Sequence, residues 1–219
     1  MCVSAIRVRV GYRAPGGMSS YPSVPMKLYG TTTSPYVRKV RILATAAGVP
    51  FDLVDTRSDA GAAELARLSP LGKVPVVELP DGRALPDSGL VAAWLWAEHA
   101  PALSRAGFSI PPDAFADRAL QIVVEGALDA AINRFYLRRD GFEDLGYVAR
   151  QRERAGTSLR WLEGRIRFAR PVGHAALSLG CALDWLAFRE PGYLAALPGL
   201  QAFQEVWRES GIGKGTEPE

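Results

Sequence analysis

The most informative part of the sequence is Pro70-Leu71-Gly72-Lys73-Val74-Pro75-Val76-Val77, together with the pair Asp87-Ser88 that follows it. Proline cannot donate a hydrogen bond to a β-ladder, so Pro75 belongs at the start or the edge of a strand. With a cis Val74–Pro75 bond, the amide and carbonyl of Val74 would face outward as partners for an extended peptide. The stretch therefore predicts a peptide-binding edge where a strand begins.

The pair Asp87-Ser88 predicts the cap of a helix that runs from Gly89 to about His99, since both residue types are favoured at this position. Backbone amides at a helix start can also bind a carboxylate, because they lack partners within the helix. A peptide-binding edge and a carboxylate pocket so close in the sequence predict a site for a small acidic peptide.

Composition narrows the class of protein. The 219 residues carry a formal net charge of +3, with basic and acidic residues interspersed. This pattern suits anionic small molecules and predicts no nucleic-acid partner. No run reaches the roughly 18 apolar residues of a membrane span, so no membrane partner is predicted.

Cysteine and histidine give further limits. Cys2 and Cys181 cannot build a disulfide framework, and they predict a reducing compartment, the cytoplasm. Cys181 lies in an apolar helical segment and is expected to be a buried, unreactive thiol. His99 and His174 have no second ligand at metal spacing, so no metal site is predicted.

Residues 1–25 differ from the rest of the chain. They alternate apolar and basic residues and then become rich in Gly, Pro, Ser and Tyr, with no apolar core of a secretory signal. We interpret them as a flexible leader or a mis-called start. Residues 26–100 then combine strands and helices, 101–112 form a linker, and 113–219 are predicted to be entirely helical.

The segment 26–100 carries strand and helix signals in the order βαβαββα. Gly48 and Pro50 end its first helix, and Asp81-Gly82 predicts a hairpin turn. The predicted strands are Lys27–Tyr29, Phe51–Val54, Val74–Leu79 and Arg83–Leu85; the helices beyond the linker are expected at about 113–139, 145–169, 175–188 and 198–209.

Charged residues at two places in the predicted helices have an expected role, one beyond the linker and one in the first helix of the chain. Asp113 is expected to cap the first helix after the linker. Arg38, Lys39 and Arg41 lie in the first helix, and we expect them on a solvated face rather than at a binding site.

Two motifs resemble a known family. Lys73-Val74-Pro75-Val76 followed by Asp87-Ser88 resembles the glutathione-binding half of the glutathione S-transferases. Ser34-Pro35-Tyr36-Val37-Arg38-Lys39-Val40 resembles the activating loop and first helix of their bacterial serine-type members. The similarity runs from about residue 26 to residue 212. It implies an α/β thioredoxin-like N-terminal domain followed by an all-α helical bundle, with glutathione as co-substrate, a homodimer and a role in detoxification.

The resemblance implies that Ser34 is the catalytic residue that activates the glutathione thiol. Taken alone, a serine before a proline is more often a simple helix cap. Tyr29 ranks second for this role, because tyrosine-type members use a tyrosine near the end of the first strand; Thr32 and Thr33 are further rivals. The sequence has no C-x-x-C motif, which argues against thiol–disulfide exchange.

The resemblance also implies how glutathione is held. Val74 should pair main chain to main chain with the cysteinyl part, and Asp87-Ser88 should hold the γ-glutamyl end. Lys73 is a candidate for the glycyl carboxylate, with an exposed loop lysine as the equal alternative. The alternative for Asp87-Ser88 is simple helix capping, and capping and glutathione binding can coexist. The implied binding residues are Lys73, Val74, Pro75, Asp87 and Ser88.

The helical half should hold a small hydrophobic electrophile, and its sequence is less informative. The implied activity is glutathione transfer by direct thiolate attack. A glutathione-dependent isomerase or dehalogenase on the same fold is an alternative, and so is a glutathione-binding or partner-binding protein without turnover. The residues that could face the cleft are Tyr36, Asp129, Asn133 and Tyr136.

One departure from the family pattern concerns the helix predicted at 175–188. Members commonly begin this helix with a Ser/Thr-x-x-Asp capping box, whereas this chain has Gly173 and Ala176 at the two positions. The sequence therefore predicts that the helix frays or folds more slowly than in relatives, and that Gly173→Ser combined with Ala176→Asp raises the melting temperature.

Overall fold

The computed structural model describes residues 24–111 and 113–219, so that the predicted leader lies almost entirely outside the described residues. A four-stranded sheet with the order β2-β1-β3-β4 forms the first half, in which β1 is parallel to β2 and antiparallel to β3. This confirms the predicted thioredoxin-like topology. The strands are β1 Met26–Gly30, β2 Phe51–Asp55, β3 Val76–Glu78 and β4 Ala84–Pro86.

Three helices cover this sheet, and their ends follow the predicted signals. Gly48 adopts the left-handed conformation, with φ 69°, and its amide bonds back to Thr45 and Ala44. The last of the three helices contains non-helical backbone at His99, two residues before Pro101. This helix extends to Arg105 and so includes the first part of the segment 101–112 that was predicted to be a linker. The domain boundaries at 100 and 113 remain a prediction. The helices are α1 Pro35–Ala47, α2 Asp59–Leu68 and α3 Ser88–Arg105.

The two faces of β1 contribute to different cores. Met26 and Leu28 pack into the large cluster shared with α1 and α3. Tyr29 points to the opposite face, because side chains alternate along a strand, and packs with Leu65 of α2 and Val76.

The second half of the chain is helical, as predicted. Its central helix, α6, is buried along most of its length. Trp207 packs directly against this helix at Gly180, where an added Cβ would lie 2.3 Å from the indole ring. The helices are α4 Ala114–Arg139, α5 Gly146–Leu162, α6 His174–Arg189 and α7 Pro198–Glu209. No helix among the described residues is long and apolar enough to cross a membrane.

The prediction of a helix over 145–169 is wrong at its C-terminal end, since α5 stops at Leu162. Gly164 has a φ of 72°, which a right-handed helix cannot continue through. Farther on, Val172 bonds in extended conformation with the segment after α3, donating to the carbonyl of Gly107 at 2.8 Å and accepting from the amide of Ser109 at 3.1 Å.

The missing capping box of α6 is replaced by a residue from another helix. Asp117 of α4 accepts from the amides of His174, at 3.0 Å, and Ala175, at 3.2 Å. This geometry does not support the expected gain from Gly173→Ser, because a Cβ at Gly173 would lie 2.8 Å from Oδ1 of Asp117. The glycine leaves room for a cap that comes from outside the helix.

The expectation that Arg38 and Lys39 lie on a solvated face is wrong. Their side chains are only 3% exposed, because this side of α1 packs against the helical half. Arg38 pairs with Asp184 of α6 at 2.6 Å, and Lys39 pairs with Glu125 of α4 at 2.6 Å. Burial without such partners would be costly, so both contacts fix the position of α1.

Candidate active site

Ser34 lies at the N-cap of α1, directly before Pro35 at the first helical position. Its backbone is extended, and its Oγ accepts from the amide of Val37 at 3.3 Å. No described residue accepts the hydroxyl proton, which is therefore available to a ligand at the positive end of the helix dipole.

The neighbouring hydroxyl groups have other partners. Thr31 and Thr33 share a hydrogen bond between their Oγ1 atoms at 3.1 Å. Thr32 donates to the backbone carbonyl of Glu219 at 3.2 Å. Of Thr31 and Thr33, one donates and the other accepts, so Ser34 and one of these threonines keep an uncommitted proton, and of these Ser34 is the residue at the N-cap of α1.

Tyr29, the second-ranked candidate, faces away from this loop. Its side chain is 1% exposed, and its hydroxyl donates to Glu78 at 2.9 Å. Burial, together with the hydrogen bond and charge of Glu78, raises the pKa of Tyr29 to about 12. A hydroxyl engaged with a carboxylate on the α2 side of the sheet is poorly suited to stabilise a thiolate near Ser34.

The two binding motifs meet at the end of the sheet. The Val74–Pro75 bond is cis, and the amide of Asp87 donates to the carbonyl of Pro75 at 3.2 Å. Val74 is half-buried beside the start of β3, whereas Lys73 is exposed on the preceding turn. Pairing of β3 with β4 thus brings the segments at 73–75 and 87–88 together, as their proposed roles require.

Asp87 has an unusual backbone for a residue with a side chain, with φ 75° and ψ 138°. Its carboxylate accepts from the amide of Gly89 at 2.6 Å and so caps α3. Ser88, the first helical residue, is buried. Positive φ in a non-glycine residue is a source of local strain, and such residues cluster at functional sites.

Of the residues predicted for the electrophile pocket, Tyr36 and Asp129 meet between the two halves of the chain. Tyr36 reaches from α1 to α4, where its hydroxyl donates to Asp129 at 2.6 Å. Burial, and then the charge of Asp129, raises the pKa of this hydroxyl well above its usual range. Asn133 and Tyr136 are exposed, one and two turns farther along α4.

Sequence comparison identifies the family. The profile of the glutathione S-transferase N-terminal domain matches residues 28–102. The uncharacterized GST-like protein YibF of Escherichia coli K12 is 30% identical over 184 residues, which cover 80% of this chain and 90% of YibF. The chain belongs to the glutathione S-transferase family.

Solved glutathione S-transferases are similar over nearly the whole described chain. One from Methylobacterium radiotolerans, in complex with glutathione sulfonate, is 27% identical with a TM-score of 0.74, covering 89% of this chain and 95% of that one. One from Methylobacillus flagellatus, with glutathione bound, is 27% identical with a TM-score of 0.75, covering 89% of this chain and 100% of that one.

Sequence reasoning missed the polar groups of α4 that lie beside this candidate site. Gln121 and Glu125 are one turn apart and face the domain interface, where Glu125 meets Lys39. The four-residue interval between Gln121 and Glu125 is typical of one helix face. Lys39, the partner of Glu125, is distant in the sequence, so no local pattern indicates this ion pair. Cys181 is buried as expected, and burial raises the pKa of its thiol to about 11.

Proposed function

We propose that this protein is a cytoplasmic glutathione transferase with a role in detoxification, which binds glutathione and activates its thiol for attack on a small electrophile. The observation that carries the proposal is the Ser34 hydroxyl, which caps α1 through its oxygen and keeps its proton available. The relatives crystallised with glutathione or its sulfonate support the choice of ligand.

Activation of glutathione means stabilising its thiolate, because the neutral thiol is a poor nucleophile. A free thiol with a pKa near 8.5 is only about 3% ionised at pH 7. Lowering this pKa by about two units corresponds to roughly 2.7 kcal/mol of preference for the charged form. The Ser34 hydroxyl and the amides at the start of α1 supply a hydrogen bond and a favourable dipole.

The rest of the tripeptide would be held at both ends. Val74 offers its main chain to the cysteinyl unit, in the manner of strand addition next to Pro75. Asp87 faces the γ-glutamyl ammonium, and Ser88 offers its hydroxyl and amide to the adjoining carboxylate. Lys73, exposed on its turn, would pair with the glycyl carboxylate.

The reaction would be a direct displacement or addition between the two halves of the chain. The sulfur of glutathione forms a bond to the electrophilic atom, and the leaving group departs with its electron pair; an electrophile without a leaving group takes up a proton instead. The small hydrophobic electrophile expected from the family would lie near Tyr36. No covalent enzyme intermediate is required.

The proposal also includes a homodimer. Large apolar side chains are exposed on α3, at Leu90, and on the first half of α4, at Phe115 and Ile122. Large exposed apolar side chains are typical of protein–protein interfaces where they lie together, and the proposed dimer would bury these three.

Calorimetry with glutathione, followed by turnover assays, tests the proposed function. The panel needs an activated aryl halide to report conjugation, a cis-alkene diacid to report isomerisation and a chlorinated quinol to report dehalogenation. Binding heat and a thioether product would support the proposal. Absence of binding heat would overturn it, and binding without turnover of any compound would indicate a glutathione-binding protein.

A further inference from the structure

Arg118 of α4 reaches the part of the proposed glutathione site that holds the γ-glutamyl end. A Cβ built on Gly89 would lie 2.9 Å from Oδ1 of Asp87 and 3.6 Å from Nη2 of Arg118. The guanidinium group therefore stands beside Gly89 at the start of α3, on the same side as the carboxylate of Asp87. Resting on the proposed function, we infer that Arg118 binds the γ-glutamyl α-carboxylate of glutathione.

Opposite charges at this place match the two charges of the γ-glutamyl end. Asp87 is suited to the ammonium, and Arg118 is suited to the carboxylate on the same carbon. No described carboxylate forms an ion pair with Arg118, and its Nη2 lies on the side toward Gly89. A guanidinium group binds carboxylates with more than one hydrogen bond, which makes it more selective than a single amide donor.

The guanidinium is held in place by a polar chain along α4. Nη1 of Arg118 donates to Oε1 of Gln121 at 2.7 Å, and Nε2 of Gln121 donates to Oε1 of Glu125 at 2.8 Å. Glu125 in turn pairs with Lys39 of α1 at 2.6 Å and accepts from Ser178 of α6 at 3.3 Å. Gln121 is completely buried, so its amide has one satisfied orientation.

The charge of Glu125 maintains this orientation. Burial alone would raise the pKa of Glu125, but the charge and hydrogen bond of Lys39 keep it below its usual range. An ionised Glu125 accepts from the Gln121 amide nitrogen, which leaves the amide oxygen for Arg118. The chain from Lys39 to Arg118 thus connects the helix that carries Ser34 with the γ-glutamyl pocket.

The test compares glutathione with 4-aminobutanoyl-cysteinylglycine, which has the same skeleton without the γ-glutamyl α-carboxylate. Dissociation constants are measured by calorimetry for the wild type, Arg118→Gln and the control Arg139→Gln, an exposed arginine in the last turn of α4. We expect Arg118→Gln to weaken glutathione binding about tenfold while changing binding of the analogue little, because only glutathione carries the carboxylate. Arg139→Gln should resemble the wild type.

Equal weakening of both ligands by Arg118→Gln, or no weakening of either, would overturn the inference. If Arg118→Gln does not fold, Arg118→Lys serves instead and should retain part of the preference for glutathione; an unchanged preference counts against the inference. A wild type that binds no glutathione would overturn the proposed function as well, whereas wild-type binding that Arg118→Gln leaves intact overturns the inference alone.

Discussion

Single side chains at the site combine a structural task with a chemical one. Ser34 accepts from an amide of its own helix and keeps its proton, whereas Asp87 caps α3 and still presents a carboxylate at the surface. Capping fixes the direction of each side chain before a ligand arrives, which lowers the entropy lost on binding. Both residues cap helices, and in the proposed function each also binds glutathione.

Asp87→Asn separates these two tasks. Asparagine tolerates positive φ and can still accept from the amide of Gly89, so we expect the free energy of unfolding to change by less than about 0.5 kcal/mol. Loss of the charge opposite the γ-glutamyl ammonium should weaken glutathione binding about tenfold. Calorimetry and urea unfolding measure both quantities, with the exposed turn residue Asp81→Asn as control; unchanged glutathione affinity would contradict the assigned role.

The candidate ligand-binding residues can be proposed from the sequence more readily than the residues around them. Ser34, Val74 and Asp87 lie in short motifs whose chemistry can be read from adjacent residues. Arg118 and Gln121 were not predicted, because each depends on a partner or a surface that only folding brings close. Local motifs thus indicate candidate ligand-binding groups more readily than the groups that support them.

At the level of helices, α6 depends on a cap supplied by α4. Asp117→Ala removes the acceptor from the amides of His174 and Ala175, and we expect the free energy of unfolding to fall by about 1 kcal/mol. Urea unfolding at pH 7 measures the loss. Asp144→Ala, in the connection between α4 and α5, is the control, and equal stability of Asp117→Ala and the wild type would show that the cap contributes nothing.

Helix ends were predictable where the signal is local. Asp113 caps α4 by accepting from the amide of Ala116 at 2.8 Å, and Gly48 ends α1 as the sequence indicates. The end of α5 at Leu162 was missed, since apolar residues continue at helical spacing beyond it. Gly164, with a φ of 72°, turns the chain out of the helix, and Val172 then bonds in extended conformation with the segment after α3.

Across the whole molecule, two ion pairs with buried basic side chains, Arg38–Asp184 and Lys39–Glu125, fix the sheet domain against the helical half. The Arg38–Asp184 pair is the more buried of the two. Asp184 accepts from Arg38, Gln204, Trp207 and Arg208, and is itself buried. Such a pair contributes little over a well-packed apolar contact, but removing one partner leaves a buried charge uncompensated. The relative position of α1 and α6, and with it that of Ser34, depends on this contact.

Asp184→Asn should therefore lower the free energy of unfolding by about 3 kcal/mol at pH 7. Asp55→Asn breaks the exposed pair with Arg57 and should cost less than about 1 kcal/mol, which makes it the matched control. Both are measured by urea unfolding. A loss for Asp184→Asn no larger than that for Asp55→Asn would contradict the importance of the buried pair.

The Arg38–Asp184 pair also predicts how the free energy of unfolding depends on pH. Burial by itself would raise the pKa of Asp184, but the hydrogen bond and charge of Arg38 keep it below its usual value. A carboxyl group with a lowered pKa in the folded state stabilises the protein fully above its unfolded pKa of about 3.9, and this contribution is lost as the pH falls further. The difference in stability between the wild type and Asp184→Asn should shrink below about pH 4; a constant difference would contradict this assignment.

The proposed dimer can be tested at the same scale. Replacement of Phe115, which is 88% exposed, by Glu should shift the protein toward the monomer, because a charge would be buried in the interface. Light scattering after size exclusion gives the mass, for which the monomer value is 23.6 kDa. Phe142→Glu, at an exposed position beyond α4, is the control, and a monomeric wild type would contradict the proposal.

The most direct measurement for the proposed site is the ionisation of bound glutathione, followed by the ultraviolet absorbance of the thiolate against pH. For the wild type and Tyr29→Phe we expect a midpoint about two units below the free value of about 8.5. Ser34→Ala should move the midpoint back up by at least about one unit, since the hydroxyl donor is gone. A midpoint in Ser34→Ala equal to that of the wild type would contradict the role of Ser34.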